Sequence, residues 1–170
     1  TDIEGEWEKK KLNDGFYDCG LLFDNDKIYV VYGINQLRIA ELDEDFNKIP
    51  GSDKDVVKWS FREGLEGSRL YKIGEYYYIY STYGGWPAFQ TVFRSKDIYG
   101  PYEEKKLIDD DNIHQGALVE TQTGEWWTML FYDKGAYGRF PNLQPVKWVD
   151  GWPEIGENGK DITYHFLPAA

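Results

Sequence analysis

Three ionisable side chains stand at matched places ahead of short apolar runs. Asp18 lies in Gly15-Phe16-Tyr17-Asp18-Cys19-Gly20 before Leu21-Leu22-Phe23, and Glu66 lies in Gly64-Leu65-Glu66-Gly67-Ser68 before Arg69-Leu70-Tyr71. His114 lies in Asn112-Ile113-His114-Gln115-Gly116 before Ala117-Leu118-Val119. Two carboxyls brought together can divide acid–base work: one keeps its proton in apolar surroundings and donates it, and the charged one tunes and orients the first. Glu66 is the candidate donor, because the glycines around it let the backbone approach a ligand. The competing reading is a solvated loop carboxylate. Asp18 is the candidate second acid, since a carboxylate among apolar residues is costly without a partner or a task. Asp24 and Asp26 read as turn formers. His114 reads either as a structural histidine or as a metal ligand, the latter needing further ligands that the spacing does not supply.

Two further residues could hold a ligand. Arg139 follows the Gly-rich aromatic stretch Lys134-Gly135-Ala136-Tyr137-Gly138, where its planar guanidinium suits hydroxyl groups or the nearby acids. Trp86, in Tyr83-Gly84-Gly85-Trp86-Pro87, could wall a sugar subsite. Both could equally be surface or packing residues. With seven Trp, fourteen Tyr and nine Phe, the chain holds more rings than a core of this size needs. Flat amphipathic rings suit sugar faces, although packing between strands is the commoner use of any single one.

Elements able to position these residues are strands. Period-2 alternation and β-branched or aromatic runs dominate, and no stretch sustains a helical stripe, so the chain reads as all-β. The runs recur in a fixed order at intervals of roughly 50 residues, the mark of propeller blades. Unit one carries a turn at Asp24-Asn25-Asp26, then Ile28 to Tyr32, then Leu37 to Leu42. Unit two carries Gly74-Glu75, then Tyr76 to Tyr80, then Thr91 to Ser95; unit three carries Thr123-Gly124-Glu125, then Trp126 to Phe131, then Asn142 to Val146. The units span about residues 14–50, 62–108 and 112–156, with 157–170 as a tail. In a propeller the first strand of each blade lines the central channel, so Asp18, Glu66 and His114 should converge at one mouth. Three blades cannot close a ring. The opening Thr1-Asp2-Ile3-Glu4-Gly5-Glu6-Trp7-Glu8 parallels Lys96-Asp97-Ile98-Tyr99-Gly100-Pro101-Tyr102-Glu103, as if an earlier blade ended there. A β-sandwich of about ten strands is the alternative that composition permits.

Other functions lose ground. Thirty acidic against nineteen basic side chains, a net charge of −11, repel phosphate backbones, so nucleic acid is not an expected partner. No apolar run approaches the roughly 20 residues of a membrane span, and no signal peptide opens the chain. Walker loop, dinucleotide fingerprint, paired-cysteine motif and nucleophile elbow are all missing. The lone Cys19 excludes an internal disulfide framework and reads as a small buried thiol.

Together these segments resemble glycoside hydrolase family 43, which includes β-xylosidases and α-L-arabinofuranosidases, over Phe16 to Gly156. The resemblance rests on Glu66-Gly67-x-x-Leu70-Tyr71-Lys72 leading to Gly74-Glu75-Tyr76-Tyr77-Tyr78, and on His114-Gln115-Gly116-Ala117-Leu118-Val119-Glu120-Thr121. It rests as well on Gly138-Arg139 followed by Leu143-Gln144-Pro145-Val146-Lys147-Trp148-Val149-Asp150-Gly151-Trp152-Pro153. It implies a five-bladed β-propeller of which this chain supplies about three blades, and an inverting mechanism with three carboxylates. Glu66 matches the general acid and Asp18 the acid that tunes and orients it. Arg139 matches an arginine that contacts the sugar at the cleavage point, and His114 a channel histidine that in some members lies near a bound calcium. Gln115 and Trp86 join the expected substrate-binding set.

The implied substrate is a xylo- or arabino-oligosaccharide. No cofactor is required, and calcium is the one that the resemblance admits. Nothing in the chain matches the aspartate that acts as general base, which belongs to the family's first blade. The chain alone is therefore expected to be inactive, its first blades coming from the same protein or a second chain. Cys19-Gly20 stands where the family usually has proline and a small residue, so the turn presenting Asp18 should differ. A secreted or periplasmic location is favoured over a cytoplasmic one. The rival functions are a non-catalytic sugar-binding propeller and a structural or protein-binding one.

Overall fold

The computed structural model describes residues 2–58, 63–85, 87–108 and 113–156. Twelve strands form three four-stranded antiparallel sheets, each an unbroken meander in which every strand pairs with the next. The first sheet holds β1 (Gly20–Asp24), β2 (Lys27–Tyr32), β3 (Leu37–Leu42) and β4 (Lys54–Val57). The second holds β5 (Leu65–Ile73), β6 (Tyr76–Tyr83), β7 (Phe89–Ser95) and β8 (Glu103–Lys106). The third holds β9 (Ile113–Glu120), β10 (Trp126–Asp133), β11 (Arg139–Val149) and β12 (Trp152–Ile155). This is the blade order expected from the repeat, and a sandwich of two sheets is ruled out. The first sheet runs past residue 50 to Val57, because β4 pairs with β3 through Leu37↔Val57, Arg38↔Asp55 and Ile39↔Lys54.

Local chemistry explains the boundaries. Between β1 and β2 the two linking residues, Asn25 and Asp26, both take left-handed φ, 49° and 60°. That is the type I′ geometry whose twist matches a hairpin, and Asn and Asp tolerate it. Asp24 is thus the last residue of β1, not part of the turn. The outer strand β8 is Glu103-Glu104-Lys105-Lys106, a charged edge that discourages pairing with other chains. By contrast β6, with neighbours on both sides and sheets on both faces, is buried from Tyr78 to Tyr83.

The core fills the two gaps between adjacent sheets. Val31, Leu37, Ile39, Leu65, Leu70, Ile79, Tyr83 and Phe93 close the first, and Tyr78, Tyr80, Val92, Ile113, Leu118, Leu130, Val146 and Ile155 the second. Tyrosines here are packing residues with their hydroxyls spent across the gap. The Tyr80 hydroxyl bonds Thr128 Oγ1 at 3.0 Å, Tyr78 donates to the Gly151 carbonyl at 2.7 Å, and Tyr71 accepts from the Leu118 N–H at 2.8 Å. Burial and the Asp24 carboxylate, which accepts from the Tyr77 hydroxyl at 2.8 Å, push that phenol up to about 12. Much of the aromatic excess therefore joins blade to blade.

At the front of the chain, residues 2–19 contain no strand. Even so, the parallel with residues 96–103 holds locally. Asp2 accepts from the Glu4 N–H at 3.0 Å and its carbonyl from Gly5 at 3.1 Å, as Asp97 accepts from Tyr99 at 2.8 Å and its carbonyl from Gly100 at 3.0 Å.

Neighbouring first strands approach too closely for a side chain at one point. A Cβ on Gly20 of β1 would lie 2.8 Å from the Cα of Arg69 and from the carbonyl oxygen of Ser68, both in β5. Because the obstacle is backbone, a Gly20→Ala exchange should force the two sheets apart and cost about 1–3 kcal/mol in urea unfolding. An unchanged unfolding midpoint would show that the sheets have slack there.

Candidate active site

Glu66 is the second residue of β5, and His114 the second of β9, so both lie inside their strands and not in the loops ahead of them as the sequence suggests. The reason is a break in register. Leu65 and Glu66 still pair with Tyr83 and Thr82 beyond a bulge ending at Arg69. Ile113 and His114 pair with Tyr132 and Phe131 beyond the corresponding irregularity. Each bulge is made by one left-handed residue, Gly67 at φ 68° and Gln115 at φ 50°. Blade one differs from the other two: Asp18 itself is left-handed, at φ 50°, and precedes the strand.

The half-buried carboxyl of Glu66 is held from two blades. Its Oε2 accepts a hydrogen bond of 2.9 Å from the Tyr17 hydroxyl, and its own backbone carbonyl accepts from Ser81 Oγ at 2.7 Å. Its Oε1 rests where a Gly84 side chain would be, since a Cβ there would come within 2.5 Å. Tyr17 is anchored in turn by its carbonyl, which accepts from the Gly33 N–H at 3.0 Å. The Glu66 carboxylate raises the Tyr17 phenol above its ordinary value, first through that hydrogen bond and then by its charge, with Asp18 adding a smaller push.

From Asp18 the contacts run into blade three. Gln115 Nε2 stands 3.5 Å from Asp18 Oδ2, and the Gln115 side chain passes close over Gly67, where a Cβ would meet Cγ at 3.1 Å. Next to it His114 is buried, with its ring 4.4 Å from that of Phe131 in an edge-on stack. On Phe131 lies the guanidinium of Arg139, 4.5 Å from the ring centroid, with Asp133 Oδ2 3.9 Å from Nε. Arg139 opens β11, directly opposite Asp133.

Tyr17, Asp18, Glu66, Gln115, His114 and Arg139 are thus joined in one contiguous path across three sheets. Trp86 lies outside the described residues. Tyr17, Phe131 and Gly84 were not singled out from the sequence, yet they shape the site. Only the place of Tyr17 beside Asp18 hinted at its role. Calcium needs about six to eight oxygen ligands, and among the described residues no three His, Cys, Asp or Glu side chains gather to hold a metal. These residues do not fit a calcium site of their own. Cys19, expected to be buried, is exposed. Among the described residues no helix is long and apolar enough to cross a membrane.

Known proteins resemble this chain throughout. The sequence profile of the glycosyl hydrolases family 43 matches residues 1–153. A xylan 1,3-beta-xylosidase of Vibrio sp is 31% identical over 90% of this chain and 37% of its own length. The non-reducing end alpha-L-arabinofuranosidase BoGH43B of Bacteroides ovatus is 28% identical over 96% of this chain and 35% of its own. Among solved structures, a bifunctional GH43-CE protein of Bacteroides eggerthii superposes with a TM-score of 0.83 at 35% identity, over 97% of this chain and 23% of that one. The xylan beta-1,4-xylosidase of Bacillus halodurans C-125 gives 0.79 at 28% identity, over 99% and 39%. The chain therefore spans between 23% and 39% of the length of these relatives. Its three sheets are part of the five-bladed β-propeller that the structural neighbours share. With a family profile running from its first residue through the third sheet, and blades that superpose on the family's own, this chain belongs to glycoside hydrolase family 43.

Proposed function

We propose that this chain carries the acid side of a glycosidase active site that cleaves xylan-derived or arabinose-substituted oligosaccharides with inversion. The observation behind this reading is the Glu66 carboxyl, half-buried and fixed between Tyr17 and Gly84, at one end of the path that leads through Asp18 to Arg139. Its relatives, named xylosidases and arabinofuranosidases, support the substrate class.

In this mechanism Glu66 protonates the departing glycosidic oxygen, so the leaving group departs as an alcohol and not as an alkoxide. Asp18, the nearby negative charge, discourages early loss of that proton and orients the donor. Arg139, its planar face on Phe131, presents its outer N–H groups to sugar hydroxyls, and Gln115 and His114 line the approach. A carboxylate elsewhere in the whole protein takes the proton of a water that attacks the anomeric carbon from the opposite face. For inversion the two carboxyls stand about 6.5–9.5 Å apart with the water between them. No cofactor enters this scheme. These residues alone would bind sugar without turning it over, since both the base and the opposite wall of the cleft lie outside them.

Two outcomes are expected in the full-length protein. Glu66→Gln should lower kcat on an unactivated xylo-oligosaccharide by about 10²- to 10⁴-fold, with a much smaller loss on a 4-nitrophenyl glycoside, whose leaving group needs no proton. Full activity on both substrates would sink the assignment, and binding with no turnover in the wild type would favour a sugar-binding propeller instead. Asp18→Asn removes the charge that helps Glu66 keep its proton, so the alkaline limb of the pH–rate profile should move to lower pH. A limb that stays in place would remove Asp18 from this role.

A further inference from the structure

Nothing in the family assignment accounts for Tyr17, whose hydroxyl is, among the described residues, the one side-chain donor to the Glu66 carboxyl. Its ring is exposed on the mouth of the site, at 55% of its full accessible area, so packing does not explain the residue. Its backbone, however, is fixed, by the bond from Gly33 and by the left-handed Asp18 that follows it. The phenol reaches across from blade one to a carboxyl on blade two, and opposite it stands Gly84, which has no side chain where Oε1 sits. The two oxygens of Glu66 are therefore unequal: Oε2 accepts from a donor, while Oε1 rests against Gly84 with no hydrogen bond among the described residues.

We propose that Tyr17 is the positioning residue of the general acid, holding Oε2 of Glu66 so that Oε1 carries and delivers the proton. This rests on the acid role given to Glu66 above. As the glycosidic bond breaks, the Oε1 proton passes to the leaving oxygen and the carboxyl becomes a carboxylate. The Tyr17 O–H···Oε2 bond then strengthens, because a donor facing a charged acceptor binds about twice as well as one facing a neutral acceptor. Tyr17 keeps its own proton throughout. The pKa of its phenol, raised by the Glu66 bond first and by Asp18 last, agrees with that role. Gly84 supplies the other half of the device, since any side chain there would displace Oε1.

On the role proposed for Asp18 above, the adjacent residues Tyr17 and Asp18 would act on this carboxyl with opposite sign, the donor favouring its charged form and the like charge its neutral form. The uncharged Gln115 contacts Asp18.

The test is Tyr17→Phe in the full-length protein, an exchange that leaves the exposed ring in place. The alkaline limb of kcat/KM should move up by about one pH unit or less, opposite to Asp18→Asn. The turnover of an unactivated oligosaccharide should fall by about 3- to 30-fold, with little change on a 4-nitrophenyl glycoside. A second readout needs no activity: in Glu66→Gln, the Tyr17 phenol, followed by ¹³C NMR of ring-labelled tyrosine, should ionise at lower pH than in the wild type. An unmoved limb in Tyr17→Phe, or an unmoved Tyr17 titration in Glu66→Gln, overturns the proposal while the acid role of Glu66 stands. Full activity of Glu66→Gln overturns both.

Discussion

The site depends on how closely the first strands of neighbouring blades approach one another. Gly20 lies against the backbone of Ser68 and Arg69 so tightly that a methyl would not fit, and Gly67 lies close under the Gln115 side chain. Asp18, Glu66 and His114 each precede by four residues a leucine that packs in its blade, Leu22, Leu70 or Leu118. With the strands drawn together, those three positions come to neighbouring edges of one opening. The geometry is then local: a bulge at Gly67 and another at Gln115 aim the side chains, and the left-handed turn at Asp18 brings Tyr17 across to Glu66. Non-glycine residues in that conformation cost about 1–3 kcal/mol each, and they persist where the surroundings over-determine them.

The sheets that bear this load are joined by polar bonds buried in apolar gaps. Gln90, fully buried on β7, donates to the Ser81 carbonyl within its own blade and accepts from the Gly116 N–H of the next. Nearer the surface, the Arg94 guanidinium carbon sits 3.9 Å from the centroid of the Trp152 ring, and Arg94 donates to the Asp150 carbonyl. Such bonds have fixed directions, so they set the register between blades where apolar contact alone would allow sliding. The Tyr17–Glu66 bond, which crosses from one blade to the next, needs that register, and in the proposed acid role a shift of the order of 1 Å would be enough to spoil proton delivery.

Most of the fold was legible in the sequence because its signals are local. Blade periodicity, the aromatic strand of each unit and the hairpin at Asn25-Asp26 are all written in neighbouring residues. The outer strands were harder, since Lys54–Val57 and Glu103–Lys106 are short and charged and look like loop until pairing makes them strand. At the candidate site, type, place and family resemblance point to Asp18, Glu66, Gln115, His114 and Arg139, and the structure sets them along one path of contacts. Tyr17 and Phe131 went unnoticed because each acts across a gap, one between blades and one between strands. The aromatic excess suits sugar faces as well as strand packing, and in β6 packing is the use: Tyr78 and Tyr80 are buried in the gap between blades.

What most directly tests this account is the structure of the whole protein with an oligosaccharide bound. The Glu66 carboxyl, still bonded to Tyr17, should face the glycosidic oxygen with Oε1. An aspartate from another blade should lie about 6.5–9.5 Å away across a water-sized gap, with the Arg139 guanidinium against the sugar. A bound sugar with no carboxylate opposite Glu66, or with Glu66 turned away from the scissile bond, would contradict it.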